Sequence, residues 1–144
     1  MTMASGLYVL TFQEALKNTL ALDLDAATNV ICLYTDTKTP DFDADAAHSA
    51  TNELASTGGY TQDTKATGTA TLTAVAPDRL KYTWSAAVTW SSASFTARGM
   101  IVGMVTSLEP IVAVTFGQDY TATNGNFTIT PHTDGIFYID CVPA

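Results

Sequence analysis

A chain of 144 residues, 47% of them hydrophobic and 14% charged, is long enough for one domain with one core and too apolar to stay disordered. Its formal charge of −8 comes from fourteen acidic residues against six scattered Lys and Arg, which disfavours binding to nucleic acid or to an anionic membrane surface. From the length we expect a single domain over residues 1–144. No apolar run reaches the roughly 18 residues that a membrane helix needs, and the N-terminus lacks the basic start of a secretion signal, so we expect the protein to be made in the cytoplasm.

The N-terminal stretch, residues 5–20, has apolar residues near helical spacing at Leu7, Phe12, Leu16 and Leu20. This spacing predicts an amphipathic helix of about three turns whose apolar stripe packs on a sheet. The open alternative is that this segment, with the small apolar residues before it, docks on a partner. Residues 1–8 are the candidate docking arm.

The run from Asn29 to Thr35 is almost continuously apolar and lies between turn signals, which predicts a buried strand. Residues 35–66 follow as the most polar part of the chain and predict one long loop. Within it we expect a short helix from Ala47 to Leu54 whose first turn is capped by Asp43 or Asp45, because a carboxylate accepts the free amides there.

Aspartates at alternate positions, Asp41, Asp43 and Asp45, also raise the possibility of a calcium loop. An EF-hand needs Gly at the sixth position and Glu at the twelfth, where this chain has Ala46 and Asn52. Capping or solvation is therefore the preferred interpretation of these carboxylates.

The remainder of the chain alternates short apolar runs with turn residues about every ten positions, which is typical of a sandwich or small barrel. The predicted strands are Thr67–Ala74, Leu80–Trp90 with a bend near Ala86, Phe95–Val105 after a corner at Ser91–Ser92, Ile111–Phe116, Asn126–Thr130 after a tight turn at Asn124–Gly125, and Ile136–Val142. The chain is expected to leave the sheet at Gly117–Tyr120. The fold class is therefore mainly β: an antiparallel β-sandwich or small barrel of about seven or eight strands, with an N-terminal amphipathic helix and one long polar loop.

Residue patterns typical of catalysis or metal binding are missing from the sequence. Cys32 and Cys141 lie in apolar runs and are expected to be buried free thiols, with pairing as the alternative. His48 and His132 are far apart and lack the ligand spacing of a zinc site, and no nucleophile elbow or phosphate loop is present. Arg98, within an apolar run, is expected to be a paired or snorkelling structural residue. We therefore expect no enzyme, no cofactor and no metal, although paired carboxylates of a glycosidase cannot be judged from sequence spacing.

Several short motifs together resemble a family of small structural proteins encoded among the virion genes of tailed bacteriophages. The pattern comprises W-S-S, T-A-R, F-G with D, N-G-x-F-T-I and G-I-F, preceded by A-S-G-L-Y, T-P-D-x-D, N-E and G-Y. These motifs fall at Trp90–Ser92, Thr96–Arg98, Phe116–Gly117 with Asp119, Asn124–Ile129, Gly135–Phe137, Ala4–Tyr8, Thr39–Asp43, Asn52–Glu53 and Gly59–Tyr60.

The resemblance implies a non-enzymatic part of a phage particle. Strong acidity argues against a place inside the head against DNA, and the absence of a repeat or coiled coil argues against a fibre shaft, so we expect a capsid decoration (cement) protein on the head exterior. Its expected partners are the major capsid protein and copies of itself in a homotrimer. The expected contact residues are Met3, Leu7, Tyr8, Asp41, Phe42 and Tyr60. The alternatives are a minor structural protein of the tail or baseplate and a carbohydrate-binding adhesion module.

Overall fold

Two antiparallel sheets and one short helix make up the computed structural model, which describes residues 2–143. In chain order the elements are β1 (Gly6–Leu7), α1 (Val9–Leu16), β2 (Val30–Tyr34), β3 (Ala70–Val75), β4 (Arg79–Trp84), β5 (Val88–Gly103), β6 (Pro110–Ile129) and β7 (Phe137–Asp140). Sheet A has the strand order β1-β6-β5-β2, and sheet B has the order β3-β4-β7. The prediction of a mainly β, sandwich-type fold with an N-terminal helix is confirmed.

The main core lies between the two sheets. Alternation along β4 buries Tyr82 and Trp84, which join a cluster that includes Ile31 and Leu33 of β2 and Met100 of β5. Period-two patterning thus delivers one face of each strand to the core, as predicted for the stretch from Leu80 to Trp90.

A second core covers the opposite face of sheet A. Here the other residues of β2, Val30, Cys32 and Tyr34, pack with Met3 and Tyr8 of the N-terminal segment. All five residues of β2 are buried because this strand is covered on both faces, which explains its continuous apolar sequence. Met3 and Tyr8 of the N-terminal segment, with Phe42 of the long loop, therefore form a third layer behind sheet A.

The long hairpin β5–β6 forms the centre of sheet A, and two predicted chain reversals inside it are wrong. Ser91 and Ser92 are not a corner: they stand opposite a single residue of β6, since Trp90 pairs with Phe127 and Ala93 with Gly125. Asn124 (φ 48°) likewise belongs to a bulge rather than a tight turn. One extra residue is accommodated by a local bulge, and both strands continue past it.

The prediction that the chain leaves the sheet at Gly117–Tyr120 is also wrong, because β6 continues through these residues and forms another bulge there. Residues 116–119 of β6 stand opposite the single residue Arg98, because Ala97 pairs with Tyr120 and Gly99 with Thr115. Gly117 has φ +80° at this point, and a Cβ added there would meet no atom within 4 Å.

The predicted three-turn helix over residues 5–20 is wrong in length and in its buried face. Gly6 and Leu7 are β1, paired with β6, and α1 has only eight residues. Asn18 follows its C-terminus with φ 61°, the left-handed conformation that ends many helices. The buried residue of α1 is Thr11, whereas Leu16 of the expected stripe is 88% exposed.

The long loop between β2 and β3 is irregular, and the helix predicted at Ala47–Leu54 does not form. Backbone amides of this segment donate to distant carbonyls instead. The His48 amide donates to the Leu108 carbonyl (2.7 Å), and the Leu54 amide donates to the Leu33 carbonyl on β2 (2.9 Å). Tertiary hydrogen bonds therefore replace the intrahelical ones.

The aspartates of this loop stabilise turns. The Asp41 carboxylate accepts from the amides of Asp43 and Ala44, and Asp45 accepts from the amide of Asp41 and pairs with Lys38 at 3.2 Å. The structure thus assigns these carboxylates to local capping, although not of a helix. No helix within residues 2–143 has the length and apolarity to span a bilayer.

Candidate functional site

The residues predicted to contact a partner divide into an interior group and a surface group. Met3 (3% exposed), Tyr8 (0%) and Tyr60 (2%) are buried. Leu7 and Phe42 are half-buried and Asp41 is exposed. Only the second group is placed to touch another molecule while the domain stays folded.

The N-terminal segment is part of the domain. Its strand β1 pairs Gly6 with Ala113 and Leu7 with Val112, and the ring of Tyr8 packs on that of Phe42 at a centroid distance of 5.3 Å. Burial, with a smaller contribution from the charge of Asp45, raises the pKa of Tyr8. Residues 2–8 are therefore held in place by sheet A and the loop.

An apolar surface surrounds the short helix, and we call it the α1 surface: Leu7, Val9, Phe12 and Leu16. Val9 is 50% and Leu16 88% exposed. The Val9 amide donates to the Phe42 carbonyl at 2.8 Å, so Asp41 and Phe42 lie beside the start of α1. The surface residues predicted from the resemblance and the α1 surface thus belong to one face of the molecule.

A buried polar cluster of Cys32, His48 and Asp63 lies where the long loop meets β2. The Asp63 Oδ1 atom is 2.8 Å from His48 Nε2 and 3.2 Å from Cys32 Sγ. His48 Nδ1 lies 2.8 Å from the Leu108 carbonyl oxygen in the turn between β5 and β6. The ring has room because β5 carries Gly103 there: a Cβ would lie 2.7 Å from Nδ1.

The hydrogen-bond partners of His48 define its proton requirement. A carbonyl oxygen at Nδ1 and a carboxylate oxygen at Nε2 are both acceptors, so hydrogen bonds on both sides require a hydrogen on each nitrogen. The His48 side chain is 1% exposed and that of Asp63 is 40% exposed.

This cluster is not arranged as a thiol nucleophile and its base. In such a pair the imidazole lies next to the thiol and takes its proton, whereas here the Asp63 carboxylate lies between them. Burial, assisted by the charge of Glu53, raises the pKa of the Cys32 thiol, which opposes thiolate formation. Cys, His and Asp side chains are, however, all zinc ligand types.

Glu53 and Tyr60 form a second buried pair beside the cluster. The Tyr60 hydroxyl donates to Glu53 Oε1 at 2.5 Å and accepts a hydrogen bond from the Leu33 amide of β2 at 2.9 Å. The phenol oxygen thus takes the acceptor role that the carbonyl of a neighbouring strand would have. Burial raises the pKa of Glu53, and the Tyr60 hydrogen bond acts in the opposite direction. Its other oxygen, Oε2, is buried without a hydrogen-bond partner.

Three further sequence predictions are resolved by the geometry. Arg98 is a paired structural residue, as predicted, at 3.6 Å from Asp36 and 3.5 Å from Asp119. Cys32 is a buried free thiol, as predicted, but Cys141 is free and exposed, because it follows the end of β7. The expectation of two buried thiols is therefore wrong for Cys141.

A shallow groove runs along the outer half of β6. It is lined by Phe116, Tyr120, Thr121 and Asn126 together with further threonines of this strand. Tyr120 is 46% exposed and its ring meets that of Phe116 edge-on at 6.2 Å. An exposed aromatic ring beside hydroxyl and amide groups is suited to stacking on a polar ligand such as a sugar.

Comparison with known proteins adds no relative: no protein-family model, curated protein or solved structure matches this chain.

Sequence reasoning missed the polar cluster because its members are dispersed. Asp63 lies 15 residues after His48 and 31 after Cys32, within a loop that carries no regular pattern. The usable signal was the combination of a cysteine in a buried strand with a histidine in the loop that follows it. That signal does not specify a contact until the path of the loop is known.

Proposed function

We propose that this protein is a capsid decoration (cement) protein of a tailed bacteriophage, which binds the outer face of the assembled head and stabilises it. It acts without catalysis, as a homotrimer in contact with the major capsid protein. The observation that carries this proposal is the motif pattern, which resembles phage virion proteins over nearly the whole chain, from Ala4 to Phe137.

The α1 surface supplies the physical support. Leu16 of α1 is 88% exposed, and Val9 of the same helix is 50% exposed. Complete burial of a leucine contributes about 1.5–3 kcal/mol, so a partner that covers both side chains gains appreciable affinity. The neighbouring Asp41 and Phe42 extend this face with one charged and one aromatic group.

Binding through this face stabilises a shell by mass action. A protein that binds the assembled lattice but not free subunits shifts the equilibrium toward the lattice, and three linked copies raise the effective concentration at each site. The formal charge of −8 keeps unbound copies apart in solution until specific contacts form.

Copy number on purified particles tests the location. Quantitative mass spectrometry is expected to find hundreds of copies per particle, and the density is expected on the head exterior in electron micrographs. A handful of copies at the tail would identify a minor tail or baseplate protein and overturn the capsid assignment.

Add-back to particles that lack the protein tests the face. Leu16→Asp is expected to abolish rebinding without changing thermal stability, because Leu16 contributes little to the core. The matched control is Val142→Asp, since Val142 is 61% exposed and does not line the α1 surface. Equal loss of binding in both variants, or in neither, would exclude the α1 surface as the contact. Deletion of residues 2–8 is a poor test, because it removes β1 and the buried Met3 and Tyr8.

A carbohydrate-binding adhesion module is the second candidate, favoured by the groove at Tyr120. Saturable binding to a host glycan that Tyr120→Ala removes and Tyr138→Ala retains would support it. Both tyrosines are exposed, at 46% and 36%, but only Tyr120 lines the groove. A glycan array with no hits, or equal loss in both variants, would eliminate this candidate.

A further inference from the structure

We propose that Cys32, His48 and Asp63 form a zinc site, with Sγ, Nε2 and one carboxylate oxygen as its three protein ligands. The three ligand atoms lie within 4.8 Å of one another. This inference is independent of the proposed function, since it concerns the interior of the domain.

Two of the three separations between the ligand atoms are slightly shorter than those that zinc imposes. Zn–N and Zn–O bonds of about 2.0–2.2 Å and a Zn–S bond of about 2.3 Å place tetrahedral ligands about 3.4–3.6 Å apart. His48 Nε2 and Asp63 Oδ1 are 2.8 Å apart, and Cys32 Sγ and Asp63 Oδ1 are 3.2 Å apart. Admitting the ion requires the partly exposed Asp63 oxygen to move about half an ångström away from its two partners, and it requires Cys32 Sγ and His48 Nε2, which lie within 4.8 Å of each other, to stand about 3.5 Å apart.

The surroundings of His48 match those of a metal-binding histidine. Such a ring almost always donates its other N–H to a carbonyl or carboxylate, which fixes the ring and leaves one nitrogen free for the metal. Here Nδ1 faces the Leu108 carbonyl at 2.8 Å, and Nε2 faces the other two ligands. With zinc bound at Nε2, the buried ring is neutral and needs only the one hydrogen that Leu108 accepts.

A second, independent observation is the buried carboxylate of Glu53. Glu53 is 8% exposed, and its Oε2 atom has no hydrogen-bond partner. Its charge acts on Cys32, and the charges of Asp63 and His48 act on Glu53, so all four side chains share one electrostatic environment. A divalent cation compensates this concentration of acidic groups. Binding releases the thiol proton of Cys32 to solvent.

The donor set selects among metals. A thiolate and an imidazole suit Zn²⁺ and disfavour Ca²⁺ and Mg²⁺, which require oxygen ligands. Three protein ligands leave a fourth position for water. The ion would reach the site from the side of Asp63, whose side chain is 40% exposed.

The site would join three parts of the chain. Cys32 lies on β2, His48 and Asp63 lie on the long loop, and Leu108 lies in the turn between β5 and β6. Zinc would therefore fasten an irregular loop to the back of sheet A, beside the isolated bridges that Glu53 and Ala66 form with β2.

Titration of the full chain with Co²⁺, after chelator treatment, tests this assignment. Cobalt takes zinc sites and reports a cysteine ligand through a near-ultraviolet charge-transfer band. We expect one equivalent of Co²⁺ to produce this band together with visible tetrahedral bands, and Zn²⁺ to displace it. A folded protein without a saturable cobalt spectrum would overturn the proposal.

Matched variants identify the ligands. Cys32→Ser is expected to lose the charge-transfer band, whereas Cys141→Ser, at the other free thiol, keeps it. Asp63→Asn is expected to weaken Zn²⁺ binding more than about a hundredfold, since loss of even an outer-shell partner costs about 10–100-fold. Asp134→Asn, at the exposed His132–Asp134 pair, is expected to change nothing. If Cys32→Ser does not fold, the other two variants decide. Loss of the charge-transfer band in Cys141→Ser would refute the site. Unchanged Zn²⁺ affinity in Asp63→Asn would refute it as well.

Discussion

Raising the pH above 10 is expected to unfold this protein, because four of its six tyrosines are buried as neutral phenols. Tyr8, Tyr34, Tyr60 and Tyr82 are each 2% exposed or less. Burial raises the pKa of all four, and raises that of Tyr82 to about 12. A phenol in the unfolded chain ionises near pH 10, so the folded state retains protons that the unfolded state has lost.

The sign and size of the effect follow from proton linkage. Because the folded state binds more protons above pH 10, the free energy of unfolding falls by about 1.4 kcal/mol per pH unit for each buried tyrosine. Four tyrosines give about 5 kcal/mol per pH unit. A domain with a stability of about 5–15 kcal/mol then unfolds within about one to three units above pH 10.

Tyr82 offers the cleanest variant. Its hydroxyl lies near Thr67 and Asn29 without hydrogen-bond geometry to either, so Tyr82→Phe should change stability at pH 7 by less than about 1 kcal/mol. Above pH 10 the same variant should be more stable than the parent chain, by up to about 3 kcal/mol near pH 12.

Tyrosine absorbance and far-ultraviolet circular dichroism, followed together against pH, provide the assay. Most of the phenolate signal should appear in the same cooperative step as the loss of β structure, and Tyr82→Phe should move that step to higher pH. Tyr120→Phe, at an exposed tyrosine, should leave the midpoint unchanged. Gradual ionisation of all six tyrosines with the fold intact would refute the reasoning.

Three further substitutions probe the loop and helix, each by urea unfolding at pH 7. Tyr60→Phe should cost about 2–4 kcal/mol, because it leaves a buried carboxylate and a strand amide unpaired, whereas Tyr138→Phe at the surface should cost almost nothing. Gly58→Ala should lower the free energy of unfolding by at least about 2 kcal/mol more than Gly68→Ala does. Both glycines have positive φ, but only at Gly58 would a methyl group meet the backbone of β5. Equal losses of stability would contradict that close approach. Thr11→Val should cost about 1–2 kcal/mol, since its hydroxyl donates to a buried carbonyl at 2.6 Å, and an unchanged stability would argue against that bond.

Strands with a strong pattern were predictable from the sequence alone. The continuous apolar run at Val30–Tyr34 and the alternation through Tyr82 and Trp84 each depend on local residues and on burial, and both appear in the structure. The bend near Ala86 also separates β4 from β5. Patterns of this kind survive because tertiary contacts reinforce them.

Turn signals within the long hairpin were misleading. Asn124–Gly125 has residue types that favour positive φ, and the structure shows positive φ at Asn124. Ser92 also has positive φ, which its residue type does not favour. The same backbone conformation serves a tight turn and a bulge, and only pairing with the distant strand decides between them. Local sequence therefore specified the conformation of one residue and not the path of the chain.

The candidate sites were less predictable than the fold. Of the predicted contact residues, Met3, Tyr8 and Tyr60 are apolar or aromatic because they fill the two cores, which sequence type alone does not distinguish from a docking role. The exposure of Leu16 was missed because helical spacing indicates a stripe without indicating whether anything covers it. The polar cluster depends on how an irregular loop returns to β2, for which no periodicity exists.

The pairing of sheet A also sets an order of events during synthesis. Gly6 of β1 pairs with Ala113 and Cys32 of β2 pairs with Ile101, so both early strands lack their partners until the long hairpin has been made. At roughly 5–20 residues per second, β2 waits for several seconds with five apolar side chains uncovered. The nascent chain therefore passes through a stage in which this apolar strand is available to chaperones or to other chains, and the pairing of β2 with β5 ends that stage.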